Sequence, residues 1–224
     1  MLTSNISAWR STSLLLGLLS IVAAMATPLA VLDGRMLTAH MAQHLLLMTI
    51  APPLIWMGVP AQVLTGRIAR WPFVRKLGRV ASRPVFCWLA AAAVLVGWHI
   101  PAGFRFGMQS SFWHLLEQLS FLAAGLLFWW PVFRPAPQWW IVVYLFLATL
   151  PCDVLSGLLV FSDRVVYPMY LSMPQMGRLS PLEDQQCAAA LMWTVVTVVF
   201  LVAGTILSMQ ILSTKPRLQE AVSV

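Results

Sequence analysis

Charged residues are scarce in this chain of 224 residues, since only 9% are Asp, Glu, Lys or Arg while 60% are hydrophobic. Soluble globular domains carry roughly 25% charged residues. So few charges among so many apolar residues predict an integral membrane protein. The length allows about six spans of roughly 20 residues with short connections. We therefore expect a single membrane domain over residues 1–224, without a separate soluble domain.

Cysteine is also scarce, with three residues and no CxxC pair, which excludes a disulfide framework and a cysteine zinc cluster. Acidic residues number 7 against 14 Lys and Arg, which gives a net charge of +7. In a soluble chain this charge would suggest a nucleic-acid partner. Here the basic residues lie in the connections between apolar runs, so we interpret them as signals of membrane topology and expect no nucleic acid.

Apolar runs predict an all-α, polytopic bundle of transmembrane helices. The predicted spans cover about residues 13–32, 37–58, 84–100, 112–133, 138–161 and 185–212. Ala24-Met25-Ala26 resembles a signal-peptidase site, but the first run is long for a signal peptide, and we expect it to remain as a span. Pro52-Pro53 should kink or loosen the second helix, because proline lacks a backbone donor and crowds the preceding turn.

The distribution of positive charge predicts the orientation. Six basic residues lie in the connection between the second and third spans, which marks that connection as cytoplasmic. They are Arg67, Arg70, Arg75, Lys76, Arg79 and Arg83. Both termini then also lie in the cytoplasm, where the basic residues are these six with Arg10, Arg134, Lys215 and Arg217. The four on the outer side are Arg35, Arg105, Arg164 and Arg178.

Two histidines four residues apart open the second span. His40 and His44 lie on one face of the predicted helix, one turn apart, so that both imidazoles can reach a common ion. A helix that supplies two metal ligands uses this spacing. Ionisable side chains within a membrane are rare and indicate function. The pair is therefore the leading candidate for a metal site.

The other two histidines fall at the same predicted depth. His99 ends the third span, and His114 and Glu117 begin the fourth, one turn apart on one face. The four histidines thus converge on the outer side from three helices, whereas the cytoplasmic half of the predicted spans holds no His, Asp or Glu. Imidazole suits copper, zinc and iron, and helical bundles build metal sites between facing helices. The alternative is that each histidine is hydrogen-bonded to a neighbouring helix without binding a metal.

Three carboxylates are candidates for the second shell around ligating imidazoles, whose other N–H they could accept. They are Glu117, Asp153 and Asp184. For Asp153, which follows Pro151-Cys152 in an apolar span, the alternative is a carboxylic acid that burial keeps neutral.

Sulfur atoms add a softer signal on the outer side. Met169, Met173 and Met176 lie in the loop before the last span, and thioethers prefer Cu(I). Packing at the membrane interface is the alternative for these methionines. Cys152 and Cys187 each stand alone, and we expect both to be buried, inert thiols.

The histidine motif resembles the core of the multi-span CtaG family, which are cytochrome c oxidase assembly factors associated with caa-type haem–copper oxidases. The similar residues run from His40 to Met48 and continue with Pro52-Pro53-Leu54 and Gly58-Val59-Pro60. Further similar stretches are Trp98-His99-Ile100-Pro101, Trp129-Trp130-Pro131, Tyr167-Pro168, Ser180 to Gln186, and Leu191-Met192-Trp193. The resemblance spans about Thr38 to Trp193. The chain departs from the family at Ala189-Ala190 and after Trp193, and many members carry a seventh span.

The resemblance implies an assembly factor of the bacterial inner membrane that matures a haem–copper oxidase on the periplasmic side. In this interpretation His40 and His44 bind Cu(I), with His114 as third ligand and His99 as a fourth. The expected partners are haem–copper oxidase subunits, membrane lipid and a periplasmic copper chaperone. The sequence contains no nucleophile–base pair and no cofactor-binding loop, so we expect no enzymatic activity.

Three other functions are compatible with the same residues. A haem-binding membrane redox protein would use pairs of histidines as axial ligands. A transporter would move copper or protons through the bundle, but the cytoplasmic half of the spans lacks a relay of ionisable groups. A metal-free scaffold would bind oxidase subunits by helix packing, with the histidines as polar contacts only.

Overall fold

The computed structural model describes residues 8–26, 28–59, 83–133, 139–173 and 179–222, with side chains described up to residue 213. Every regular element within these ranges is helical, which confirms the all-α prediction. The α-helices are α1 (Ala8–Met25), α2 (Pro28–Leu32), α3 (Leu37–Leu45), α4 (Ala51–Gly58), α5 (Pro84–His99), α6 (Pro101–Gly107), α7 (Ser111–Trp129), α8 (Trp139–Val160) and α9 (Pro181–Val222). A π-helical turn, Leu46–Ile50, joins α3 to α4, and a 3₁₀ helix covers Pro168–Leu171.

Among the described residues, five segments are long and apolar enough to cross a membrane. They are Ala8–Leu32, Leu37–Gly58, Ser111–Trp129, Trp139–Val160 and Pro181–Ser213. Helices α5 and α6 pass the same test together but are bent by 81° at their junction. Ile100 has an extended backbone there, as expected for a residue that precedes proline. The number of spans is six when this bent pair counts as one, in agreement with the prediction.

The predicted cytoplasmic connection lies outside the described residues except for Arg83, and so do Arg134 and Arg178. The orientation of the chain in the membrane therefore stays a prediction.

Pro52 and Pro53 loosen the second span, as expected. The N–H of Ala51 donates to the carbonyl of Leu46, five residues back, so the backbone widens into the π-helical turn just before the two prolines. Neither proline can donate a hydrogen bond to the carbonyl four residues earlier. One of these carbonyls, that of Met48, lies against α7 at Gly125, where a Cβ atom would come within 2.6 Å of it. The absent side chain of Gly125 allows this close approach.

The Ser180–Gln186 motif ties the start of α9 to the rest of the molecule. Ser180 and Glu183 form a capping box, in which the backbone N–H of each residue donates to the side chain of the other, at 2.7 and 3.3 Å. Gln185 accepts from the N–H of Val166 at 2.7 Å and donates to the carbonyl of Arg164 at 3.1 Å. The motif thus fixes both the helix and the loop before it.

Helix α3 is buried between several neighbours. Leu37, Met41 and Leu45 of α3 share a core cluster with Ala188 and Met192 of α9. The opposite side of α3 faces α7, as the contacts of the histidines show. The polar residues of α3 are consequently enclosed by protein, and His40 is 0% exposed.

Candidate metal centre

The four histidines form one group of rings at the ends of three helices. His40 and His44 come from α3, His99 ends α5 and His114 lies in the first turn of α7. The ring centroids of His40 and His44 are 4.2 Å apart. His114 stacks 5.8 Å from His40, and His99 lies 6.0 Å from His44. The structure therefore brings all four predicted residues together, while their role as metal ligands stays a prediction.

Glu117 lies at the centre of this group. Its Oε1 atom is 3.6 Å from Nε2 of His40 and 3.6 Å from Nε2 of His44. These distances are too long for hydrogen bonds. The ligand atoms of the three residues all lie within 4.8 Å of one another, so they could hold one metal ion. Glu117 thus stands among the candidate first ligands, whereas the sequence suggested only a supporting role.

Polar atoms of this trio are buried without partners. Neither ring nitrogen of His40 or His44 has a hydrogen-bond partner, and both carboxylate oxygens of Glu117 also lack one. Buried polar groups are otherwise paired in about nine cases of ten, because an unpaired one costs free energy. A metal ion that accepts a lone pair from one nitrogen of each imidazole and from the carboxylate would satisfy three of these atoms at once. The donor set fits copper, zinc or iron.

A second acidic group extends the cluster towards the surface. Nε2 of His114 lies 2.9 Å from Oδ2 of Asp33, and the side chain of His114 is 20% exposed. Asp33, His40 and His114 form another set able to hold a metal, so His40 belongs to both sets. The hydroxyl of Tyr170 donates to the carbonyl of Asp33 at 2.9 Å. Burial raises the pKa of this hydroxyl, which therefore stays protonated as a donor.

Aromatic rings enclose the cluster on its apolar sides. Phe121 of α7 stacks on His44 with a centroid distance of 4.0 Å, and Phe104 of α6 packs edge-on against His40 at 4.9 Å. Both phenylalanines are buried. They exclude water from the sides of the imidazoles that they cover. Electrostatic interactions of the imidazoles are stronger as a result.

Neither of the other two carboxylate candidates belongs to a group that could hold a metal ion among the described residues. Asp184 binds the start of α3: its Oδ2 accepts from the N–H of Leu37 at 2.6 Å, and its Oδ1 accepts from the hydroxyl of Thr38 at 2.6 Å. Asp153 lies on α8, where its Oδ1 is buried without a hydrogen-bond partner. Asp184 thus acts by positioning the helix that carries His40 and His44.

The candidate methionines of the outer loop lie in different surroundings. Met169 packs beside the core cluster that contains Tyr167 and Tyr170, and Met173 lines a small surface pocket. Met176 lies outside the described residues. Cys152 is buried as expected. The expectation that Cys187 is buried is wrong, because Cys187 is exposed on α9. The next two residues, Ala188 and Ala189, are buried instead.

Three residues close to the histidines had no role in the sequence interpretation. Asp33 stands in a turn, where acidic residues are common. Met41 lies between the two histidines, with its sulfur 3.2 Å from Nε2 of His99. Gly107 makes room for Glu117, because a Cβ atom there would come within 2.6 Å of Oε2. None of these contacts is local in sequence, so no spacing rule reveals them.

A family model described as cytochrome c oxidase caa3 assembly factor (Caa3_CtaG) matches residues 3–214, a range that includes the whole histidine cluster. No curated protein and no solved structure matches the chain.

Proposed function

Since the chain belongs to the family of cytochrome c oxidase caa3 assembly factors, we propose that it binds copper within its histidine cluster and delivers it to a haem–copper oxidase. His40, His44 and Glu117 hold the ion, which is the cargo of the protein. Delivery takes place on the periplasmic side of the bacterial inner membrane, to an oxidase subunit. The protein catalyses no reaction in this proposal.

The observation that carries the proposal is the set of unpaired atoms in the trio. Four ring nitrogens and two carboxylate oxygens are buried together without hydrogen-bond partners. Metal-free packing would leave this set unsatisfied at a cost in stability. A bound ion converts one nitrogen of each ring and the carboxylate into ligands, which favours metal binding over a scaffold that uses the histidines for polar contacts only.

Charge favours a monovalent ion in this position. The site combines two imidazoles with one carboxylate, and His40 and Glu117 are 0% exposed. Cu(I) bound to an ionised Glu117 gives a net charge of zero, and burying a neutral pair costs far less than burying an isolated charge. Imidazole is also a suitable ligand for copper.

The pair of His114 and Asp33 provides the route between the buried trio and the surface. His114 stacks on His40 but is more exposed. The carboxylate of Asp33 beside His114 offers the ion a further oxygen ligand. Because His40 belongs to both possible ligand sets, an ion can pass between them by exchanging one ligand at a time. A copper chaperone or an oxidase subunit would then exchange copper at this end of the cluster.

The ring geometry favours an ion over haem. His40 and His44 lie on one helix with centroids 4.2 Å apart, which leaves no room for a porphyrin between them. Phe104 and Phe121 occupy neighbouring faces of the same rings. Ligation of a haem by a pair of histidines would require the two rings on opposite sides of the macrocycle.

The test is the copper and haem content of protein purified in detergent, for the wild type and the His40→Ala/His44→Ala variant. After loading with one equivalent of Cu(I) per chain, we expect the wild type to retain it and the double variant to lose it, because two ligands are absent. Gln43→Leu, which adds no metal ligand, is the matched control: Gln43 lies on the same buried helix but donates to the carbonyl of Ala24 at 2.8 Å.

Each alternative has its own outcome in this test. Wild-type protein that stays free of copper and haem after loading contradicts the proposal and favours the scaffold. A haem absorption band favours the redox protein. Equal copper loss from the Gln43→Leu control and the double variant means that copper binding depends on general helix packing, which also contradicts the proposal.

Gly107→Ala should weaken copper binding without removing a ligand. The added methyl group meets Oε2 of Glu117 at 2.6 Å, so the carboxylate must rotate away. A side chain forced from its rotamer costs about 0.5–1.5 kcal/mol, which corresponds to an affinity roughly two- to tenfold lower. Competition with a chromophoric Cu(I) chelator measures this change. Gly157→Ala, where nothing lies within 4 Å of the new atom, should keep the wild-type affinity, and an unchanged affinity in Gly107→Ala would contradict the role of Glu117.

A further inference from the structure

Met41 and His99 form a contact that the proposed copper site does not use. The sulfur of Met41 lies 3.2 Å from Nε2 of His99. Both residues are buried, and they come from different helices, α3 and α5. The contact lies beside the group of His40, His44 and Glu117, because the ring centroid of His99 is 6.0 Å from that of His44.

Hydrogen bonding fixes which nitrogen of His99 carries the proton. Nδ1 lies 2.7 Å from the carbonyl oxygen of Leu95, which can only accept. A neutral imidazole has a single N–H, so Nδ1 donates and Nε2 keeps a lone pair. A thioether sulfur is likewise an acceptor. Two lone-pair atoms therefore lie 3.2 Å apart without a proton between them, and a cation to one side of the line that joins them could bind both.

The surroundings of this contact are rich in sulfur. A cavity of about 60 Å³ lies next to it. Its lining includes His44 and His99 together with four sulfur-bearing residues, Met41, Met48, Cys152 and Met192. Thioethers and imidazoles are neutral ligands that suit Cu(I). No carboxylate is among the residues that line the cavity.

We propose that Met41 and His99 form a second Cu(I) position, adjacent to the first and softer in its ligands. The inference rests on the proposed copper function and adds the route of the ion inside the protein. His44 lies next to both positions, so Cu(I) moves between them by ligand exchange, without a change of oxidation state. The second position holds copper more weakly, because no carboxylate compensates the charge of the buried ion.

X-ray absorption at the copper edge tests this inference in the full-length protein in detergent. Cu(I) is added anaerobically to one and then to two equivalents per chain. We expect nitrogen and oxygen neighbours at the first equivalent, and a sulfur neighbour that appears with the second. Met41→Leu should bind one equivalent only and lack the sulfur signal. Leucine keeps the volume of methionine closely enough for the helix to pack.

Two further variants separate the Met41–His99 pair from general effects. Met48→Leu changes another methionine of the same cavity and should keep both equivalents and the sulfur signal. His99→Gln removes the second ligand and should repeat the loss seen in Met41→Leu, so the result does not depend on one variant folding.

The outcomes distinguish this inference from the proposed function. Wild-type protein that binds one equivalent without sulfur, lost in His40→Ala/His44→Ala, keeps the proposed function and overturns the second position. A sulfur signal that persists in Met41→Leu overturns the assignment to Met41. Protein that binds no Cu(I) overturns both proposals.

Discussion

Glu117→Gln is expected to lower the Cu(I) affinity by roughly a hundredfold to several-thousandfold. The substitution keeps the size of the side chain but removes the negative charge that faces both imidazoles at 3.6 Å. Removal of one partner from a buried ion pair costs about 3–5 kcal/mol, and each 1.4 kcal/mol is about a factor of ten in affinity. Competition with a chromophoric Cu(I) chelator of known affinity gives the value.

Without copper, the Glu117→Gln substitution should not destabilise the protein. The free protein should be as stable as the wild type or more stable, because the substitution removes a buried, unpaired carboxylate. The stabilisation that copper gives the wild type should be nearly absent. Asp153→Asn is the matched control, an acid-to-amide change in a span that contributes nothing to the cluster. Wild-type affinity in Glu117→Gln would exclude the carboxylate as a ligand.

Asp184→Ala should destabilise the protein by about 3 kcal/mol and disturb the copper site together with the fold. Asp184 receives the N–H of Leu37 and the hydroxyl of Thr38, both at 2.6 Å. The residue before α3, Met36, provides no side-chain cap of its own. A lost cap costs about 0.5–2 kcal/mol and a lost hydrogen bond to a charged group about 1.5–3 kcal/mol.

Equilibrium unfolding in mixed detergent measures this loss, with copper affinity determined on the fraction that stays folded. Glu183→Gln is the neighbouring control, since Glu183 is exposed and bonds only within the capping box at Ser180. It should cost no more than about 1 kcal/mol. Similar losses in the two variants would show that Asp184 has no special role in holding α3.

Local patterns in the sequence were enough for the helices and for the leading histidine pair. Apolar runs of about 20 residues identify spans because a bilayer requires that length. The spacing of His40 and His44 defines a shared face because a helix repeats every 3.6 residues. Depth along antiparallel helices also indicated His99 and His114 as neighbours of the pair. Each of these inferences uses distances along a single helix.

Contacts between distant segments could not be obtained in this way. Asp184 binds Leu37 across 147 positions, and only its approximate depth in the membrane could be predicted from its place before the last span. Gly107 matters for the space that it leaves beside Glu117, a property that no composition or periodicity records. Asp33 resembles any acidic turn residue until His114 is placed 2.9 Å from it. The bend between α5 and α6 follows from the proline at position 101, but its angle depends on packing.

The π-helical turn keeps one side of the second span directed towards α7 from residue 40 to residue 56. Residues 40, 44, 48, 52 and 56 all meet α7: the histidines at Glu117, Met48 and Pro52 at Gly125, and Trp56 through an indole hydrogen bond of 2.9 Å to the carbonyl of Leu126. An unbroken α-helix completes about 4.4 turns over 16 residues, which would rotate the last of these side chains to nearly the opposite side. The wider turn removes most of this excess, because one extra residue in a turn accounts for about 100° of rotation. A repeat of four thus becomes a straight line of contacts, and the register of the histidines against Glu117 is set partly by an indole anchored four turns away.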